Sequence, residues 1–306
     1  MYQGWQGNWP RVIPLGGGGS GLDTSLIFVG GYPRTGTTLV HALLCGDERT
    51  NPVVGECTFI EFLMQAYVIM TNEPEHHAFA DYWSNKEQFH DQIKGFLDQM
   101  IENFKEIHQC EIPVFKRPHL TPYFSALAEM YPEAKFVATV RHPLDVAASL
   151  KRVKRKYLRQ DNPVPDPFMS TTLLDMISGY SAAMLVLHKN SAAFGGNRLM
   201  YVKYEGLVNY PATVIERMNE FTGLDCRLGD DWKNRDYDKD APFYSDLWSK
   251  GISKKRVGSW KKILNREEVN LAQAAGAFVA ERFAYEMEGM PYERDEFQRA
   301  ANFVGS

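Results

Sequence analysis

Five consecutive residues, Arg34-Thr35-Gly36-Thr37-Thr38, hold the densest chemistry in the 306-residue sequence. Arginine brings a planar, permanently charged fork, and Thr37 and Thr38 add hydroxyl donors. The five stand between an apolar run at 26–29 and a stretch continued by Leu39, Val40, Ala42, Leu43 and Leu44. That order reads as strand, turn and helix. A helix start offers free N–H groups and the positive end of the dipole, so an anion such as phosphate is favoured there. Gly31 and Gly36 let the backbone approach such a ligand closely.

In ATP- and GTP-binding loops the pattern is Gly, four residues, then Gly-Lys-Ser/Thr. Gly31 and Gly36 keep this spacing, but Thr37 occupies the lysine position and the cation has moved to Arg34. The loop is therefore suited to phosphate but lacks the group that reaches the β/γ-phosphates of a nucleoside triphosphate. A second anion site is expected where Arg141, at a strand end, and Ser149, two turns into the next helix, converge on one anion by charge-assisted hydrogen bonds. The two sites are expected to be separate, on neighbouring strand ends.

The elements that must position these groups follow from periodicity. Strands are predicted at 112–116, 135–141 and 199–204, and helices at 60–70, 89–108, 123–131 (amphipathic), from 143, at 171–193, 211–221 and 266–287. Residues 71–90 read as an irregular surface segment and the proline-bearing 161–167 as a loop. Strands alternating with helices imply parallel βαβ units. Arg141 then falls at a strand's carboxyl edge, where open α/β sheets bind ligands. The basic run 151–159 reads first as a solvated helix face. Met64, Met70, Met100 and Met130 read as core.

A net charge of -4 argues against a general nucleic-acid binder, so any cationic function is local. Four scattered cysteines without metal-ligand spacing suggest a reduced, cytoplasmic protein with no metal, and Cys57 reads as a buried structural thiol. His76 and His77 lack carboxylate or cysteine partners and read as surface histidines. No apolar run reaches the length of a membrane span, and the first residues do not resemble a cleavable signal. Residues 1–22, with the glycine-rich 15–21, resemble a flexible segment, leaving 23–306 as one domain.

Four blocks, 31–39, 116–119, 141–149 and 201–207, with a weaker fifth at 254–261, resemble the sulfotransferases that use 3′-phosphoadenosine 5′-phosphosulfate. They cover about a third of the chain, in the family's order. The resemblance implies a single α/β domain with a central parallel sheet of the phosphate-loop kind, and transfer of a sulfuryl group to a hydroxyl, phenol or amine. Arg34, Thr35, Gly36, Thr37 and Thr38 are similar to the loop around the donor's 5′-phosphosulfate, and Arg141 and Ser149 to the clasp on its 3′-phosphate. Tyr204 is similar to the tyrosine near the adenine, and Lys254, Lys255, Arg256 and Gly258 to the late loop over the 3′-phosphate. Trp260 either packs on the nucleotide or anchors that loop.

This chain departs from the cytosolic members, which carry lysine in the first loop and a histidine two residues after a lysine. Here the loop cation is Arg34, and His119 lies three residues after Lys116. Arg34 and the Gly55-Glu56 pair look closer to the tyrosylprotein and bacterial members, where an arginine and a glutamate do this work. Glu56 and His119 thus compete as general base, with Glu56 favoured, while Arg34 and Lys116 are expected to stabilise charge in the transition state. The product is adenosine 3′,5′-bisphosphate. The acceptor is expected to be a small molecule, shaped by 59–108 and 151–180, where Phe59, Phe62, Tyr67 and Tyr82 would suit an organic body. A kinase with an altered loop, or a nucleotide-binding module without catalysis, are the alternatives.

Overall fold

The computed structural model describes residues 25–73, 79–159, 171–229, 232 and 251–287. The 1–22 segment, His76, His77 and the 161–167 loop lie outside the described residues. Four strands, β1 (Ile27–Gly30), β2 (Val114–Lys116), β3 (Lys135–Val140) and β4 (Leu199–Lys203), form one sheet in the order β2-β1-β3-β4, with every pairing parallel. The strands at its centre are apolar on both faces, as a sheet covered by helices on each side requires.

Strand alternation sorts the core. Phe28 stacks on Phe115 and Phe136 on one face, with ring centroids at 5.8 and 5.4 Å, while Ile27, Val29, Val114 and Val137 point to the other. The aromatic face is covered by α2 (Thr58–Asn72), α3 (Lys86–His108) and α4 (Phe124–Met130). The opposite face packs on α1 (Thr37–Leu44) and, beyond β4, on α7 (Tyr204–Asn209) and α8 (Pro211–Thr222). A further cluster joins α5 (Pro143–Tyr157), α6 (Leu173–Lys189), α9 (Arg266–Ala275) and α10 (Ala277–Arg282) beyond the β3 end.

Four predicted elements differ. The helix expected to be amphipathic at 123–131 is α4, in which every residue but Glu129 is buried; it is sandwiched, so it has no solvent face to show. Within 71–90, α2 runs on to Asn72 and α3 starts at Lys86, where the Asn85 side chain caps the Gln88 amide. The helix expected at 171–193 stops at Lys189 and continues as a 3-10 turn, Ser191–Phe194. The last helix breaks at Gly276, where a Cβ would lie 2.5 Å from Pro143; the chain bends where α9 meets the start of α5.

Candidate active site

β2 and β3 flank β1, so the connections that follow β1 and β2 run in opposite directions along the sheet. Such a switch point opens a crevice at the carboxyl ends of the strands. All four strand ends deliver to it a residue singled out by sequence: the 31–36 loop after β1, Lys116 at the end of β2, Arg141 after β3 and Tyr204 after β4.

The first loop is held by its own threonines. The Thr35 hydroxyl is fully buried, bonds the Tyr32 carbonyl at 2.6 Å and meets the Thr139 hydroxyl at 2.6 Å, while its amide donates to Tyr32 O. Thr35 therefore shapes the loop. Thr121, on the 3-10 turn Pro118–Tyr123, accepts from the Gly31 amide at 2.6 Å. Gly31, Arg34 and Gly36 all take positive φ, the arginine at 76°. A left-handed arginine costs on the order of 1 kcal/mol or more and concentrates at functional loops. Beyond it α1 begins on Gly36, with no side-chain cap and no acidic residue in its first turn. Its leading amides, with Thr37 buried and Thr38 half-buried, keep their anion-binding character.

Arg34 does not stay at the first loop. Its Nε donates to Ser149 Oγ at 3.0 Å, so residues of the two expected anion sites are in direct contact. Arg141 is buried; its Nη1 donates to Arg34 O at 3.1 Å and its Nη2 to Arg256 O at 2.6 Å. Its guanidinium lies 4.3 Å over the Tyr204 ring, and its buried Nε has no hydrogen-bond partner among the described residues. The Tyr180 hydroxyl clamps the Arg141 backbone at both N and O, 2.9 Å each. Burial, then the charges of Arg141, Arg152 and Arg256, push the Arg34 guanidinium down to about 10. The four arginines give this end of the sheet a concentrated positive potential.

The late loop is pinned by Asp145, which accepts from the Gly258 amide at 2.7 Å, and from Ser259 Oγ and the Trp260 amide at 3.1 Å each. The Gly258 amide is thereby committed inside the protein. Buried Trp260 anchors the 3-10 turn Ser259–Lys262. Lys254 and Lys255 are exposed, and Arg256 presents its carbonyl to Arg141. Tyr204 packs on the first loop; a Cβ on Gly36 would lie 2.8 Å from its ring.

At the other end, Glu56 Oε1 accepts from Lys116 Nζ at 2.8 Å, and Oε2 accepts from Arg117 Nη1. Burial works to raise its pKa, but Lys116 and Arg117 together outweigh burial and hold the carboxyl below the ordinary range. His119 sits half-buried, its ring edge-on to Tyr32 at 6.0 Å. The neighbouring Cys57 thiol is pushed up to about 12 by burial, as fits an inert thiol. Of the aromatics expected to suit an acceptor, Tyr67 belongs to the core and bonds His90 Nδ1 at 2.9 Å, whereas Phe59, Phe62 and Tyr82 are exposed.

Sequence reasoning missed Asp145, Arg152, Tyr180, Thr121 and the Arg117–Glu61 pair. Arg152 had a signal, since it lies one turn beyond Ser149. Its place in a basic run hid it: Arg152 turns inward to Ser259 Oγ at 2.5 Å and Lys151 to Glu268 at 2.5 Å, so only part of that run is solvated.

A parallel α/β sheet with a lysine-free phosphate loop at its switch point defines a class of phosphate-loop protein. A model of the sulfotransferase family matches residues 26–227, and the chain belongs to that family. It is 24% identical over 244 residues to omega-hydroxy-beta-dihydromenaquinone-9 sulfotransferase Stf3 of Mycobacterium bovis, covering 65% of this chain and 62% of that protein. It is 26% identical over 203 residues to a protein-tyrosine sulfotransferase of Drosophila melanogaster, covering 65% of this chain and 38% of that protein. The chain thus spans less than two thirds of the length of either relative. The sulfotransferase domain from the curacin biosynthetic pathway superimposes with a TM-score of 0.52 at 16% identity, over 86% of this chain and 99% of that domain, a likeness of fold.

Proposed function

We propose that this chain moves a sulfuryl group from 3′-phosphoadenosine 5′-phosphosulfate to a hydroxyl, phenol or amine of a small-molecule acceptor, releasing adenosine 3′,5′-bisphosphate. The observation that carries the reading is the convergence of Arg34, Arg141, Arg152 and Arg256 beside an uncapped helix start. A donor with phosphates at both ends suits such a site better than ATP, for which the loop lacks its lysine. When bound, the donor supplies the activated sulfuryl group. Arg141 and Ser149 would hold its 3′-phosphate and Tyr204 its base, while Arg34, Lys116 and the first amides of α1 would stabilise charge near the sulfuryl end. Glu56, already ionised and in contact with Lys116, would take the acceptor's proton. His119, its ring edge-on to Tyr32, is the second candidate base. The four cysteines are free thiols, which suits the proposed cytoplasmic setting.

Incubation with sulfur-labelled donor and a panel of alcohols, phenols, amines and tyrosine peptides tests the reading. Metal-independent labelling of an acceptor is expected, strongest among small molecules. Magnesium-dependent phosphate transfer from ATP would favour the kinase alternative, and labelling confined to peptides would overturn the acceptor class.

A further inference from the structure

Glu56 is one of four charged groups in a chain: Lys116 bonds Glu56, Glu56 bonds Arg117, and Arg117 Nε bonds Glu61. Two cations and two carboxylates leave the group neutral. Exposure differs among the four, with the side chain of Lys116 at 7%, Glu61 at 14%, Arg117 at 20% and Glu56 at 35%. The inner members are also fixed by their backbones. The Arg117 amide continues the ladder to Val29 O at 3.0 Å, and Glu61 sits in the first turn of α2, whose preceding Cys57 amide bonds Lys116 O at 3.1 Å. The Arg117–Glu61 pair is thus the fixed support, and Glu56 is the member free to face a reactant.

We propose that Glu61 is a positioning residue: through Arg117 it holds the Glu56 carboxylate in place and limits how much of the Arg117 charge Glu56 feels. The inference rests on the reading of Glu56 as the base. Lys116 is assigned to charge on the donor, and when it turns there Arg117 alone remains on Glu56. Without Glu61, Arg117 could close its fork on both Glu56 oxygens, making a tight pair and a poor base. Glu61 keeps the Nε edge of the guanidinium occupied, and by pairing with Arg117 it offsets part of the positive charge that faces Glu56. The titratable and charged groups facing Glu56 are Lys116 from β2, Arg117 just after it and Cys57 before α2, with Glu61 of α2 behind Arg117.

The two supports pull Glu56 in opposite directions, which separates tuning from mere packing. Carbon-13 NMR titration of the glutamate carboxylates, with Glu56 assigned by its loss in Glu56→Gln, needs neither donor nor acceptor. Glu61→Gln is expected to lower the Glu56 pKa by about one pH unit, Arg117→Gln to raise it by about as much, and Glu61→Asp to restore most of the wild-type titration. Unmoved titration in both glutamine variants, shifts of the same sign, or an unfolded Glu61→Gln would overturn the inference. The sulfuryl-transfer reading would survive any of these, because it is decided separately by the labelled-donor assay.

Discussion

Glu56 carries the sharpest consequences at the scale of single residues. Its contact with Lys116 at 2.8 Å places a carboxylate beside the cation assigned to the leaving oxygen. Glu56→Gln is therefore expected to lower turnover by about 10²–10⁴ while leaving nucleotide affinity unchanged, measured by steady-state rates beside calorimetry; near wild-type turnover would move the base to His119. The sign of the pH dependence follows from the same contacts. A base must be ionised, and Lys116 and Arg117 overcome burial to hold Glu56 below its ordinary value. Activity governed by this group is present above that depressed pKa and lost as pH falls through it. The acid limb of kcat/KM is accordingly expected below about 4.3, the usual glutamate value, in a pH–rate profile corrected for unfolding. An acid limb near neutrality would point to a histidine instead.

Among the elements, the late loop depends on one buried carboxylate of α5. Asp145 takes three hydrogen bonds from Gly258, Ser259 and Trp260. Asp145→Ala would orphan those donors at about 1–3 kcal/mol, and is expected to lower the melting temperature and weaken adenosine 3′,5′-bisphosphate binding by tenfold or more. Unchanged affinity would show that this loop plays no part in holding the nucleotide. The sequence made the strands, their parallel pairing and most helix spans legible, because apolar runs and three-and-four spacing reflect burial directly. It did not show that Asp145, three positions before Ala148 in a helix already read for Arg141 and Ser149, would clasp a loop more than a hundred residues away. Nor did it show the break at Gly276, which depends on how closely α9 meets Pro143. Long-range packing of this kind leaves no local periodicity.

For the whole molecule, the topology explains why residues from four distant blocks lie together. In the order β2-β1-β3-β4 the switch lies at β1, so Lys116, Arg34, Arg141 and Tyr204 gather along one sheet edge although 170 positions separate Arg34 from Tyr204. Motif spacing revealed these members individually. Their gathering at one edge, with Arg34 reaching Ser149 at 3.0 Å, required the fold. Burial and the neighbouring charges of Arg141, Arg152 and Arg256 lower the Arg34 pKa, and a polyanion at that edge would offset this positive potential. Isothermal titration of the full chain with adenosine 3′,5′-bisphosphate, in the presence of a chelator, tests this most directly. Micromolar or tighter binding that weakens steeply with salt and is lost in Arg141→Ala is the expected result. No binding of the bisphosphate, alongside magnesium-dependent binding of ATP, would contradict it.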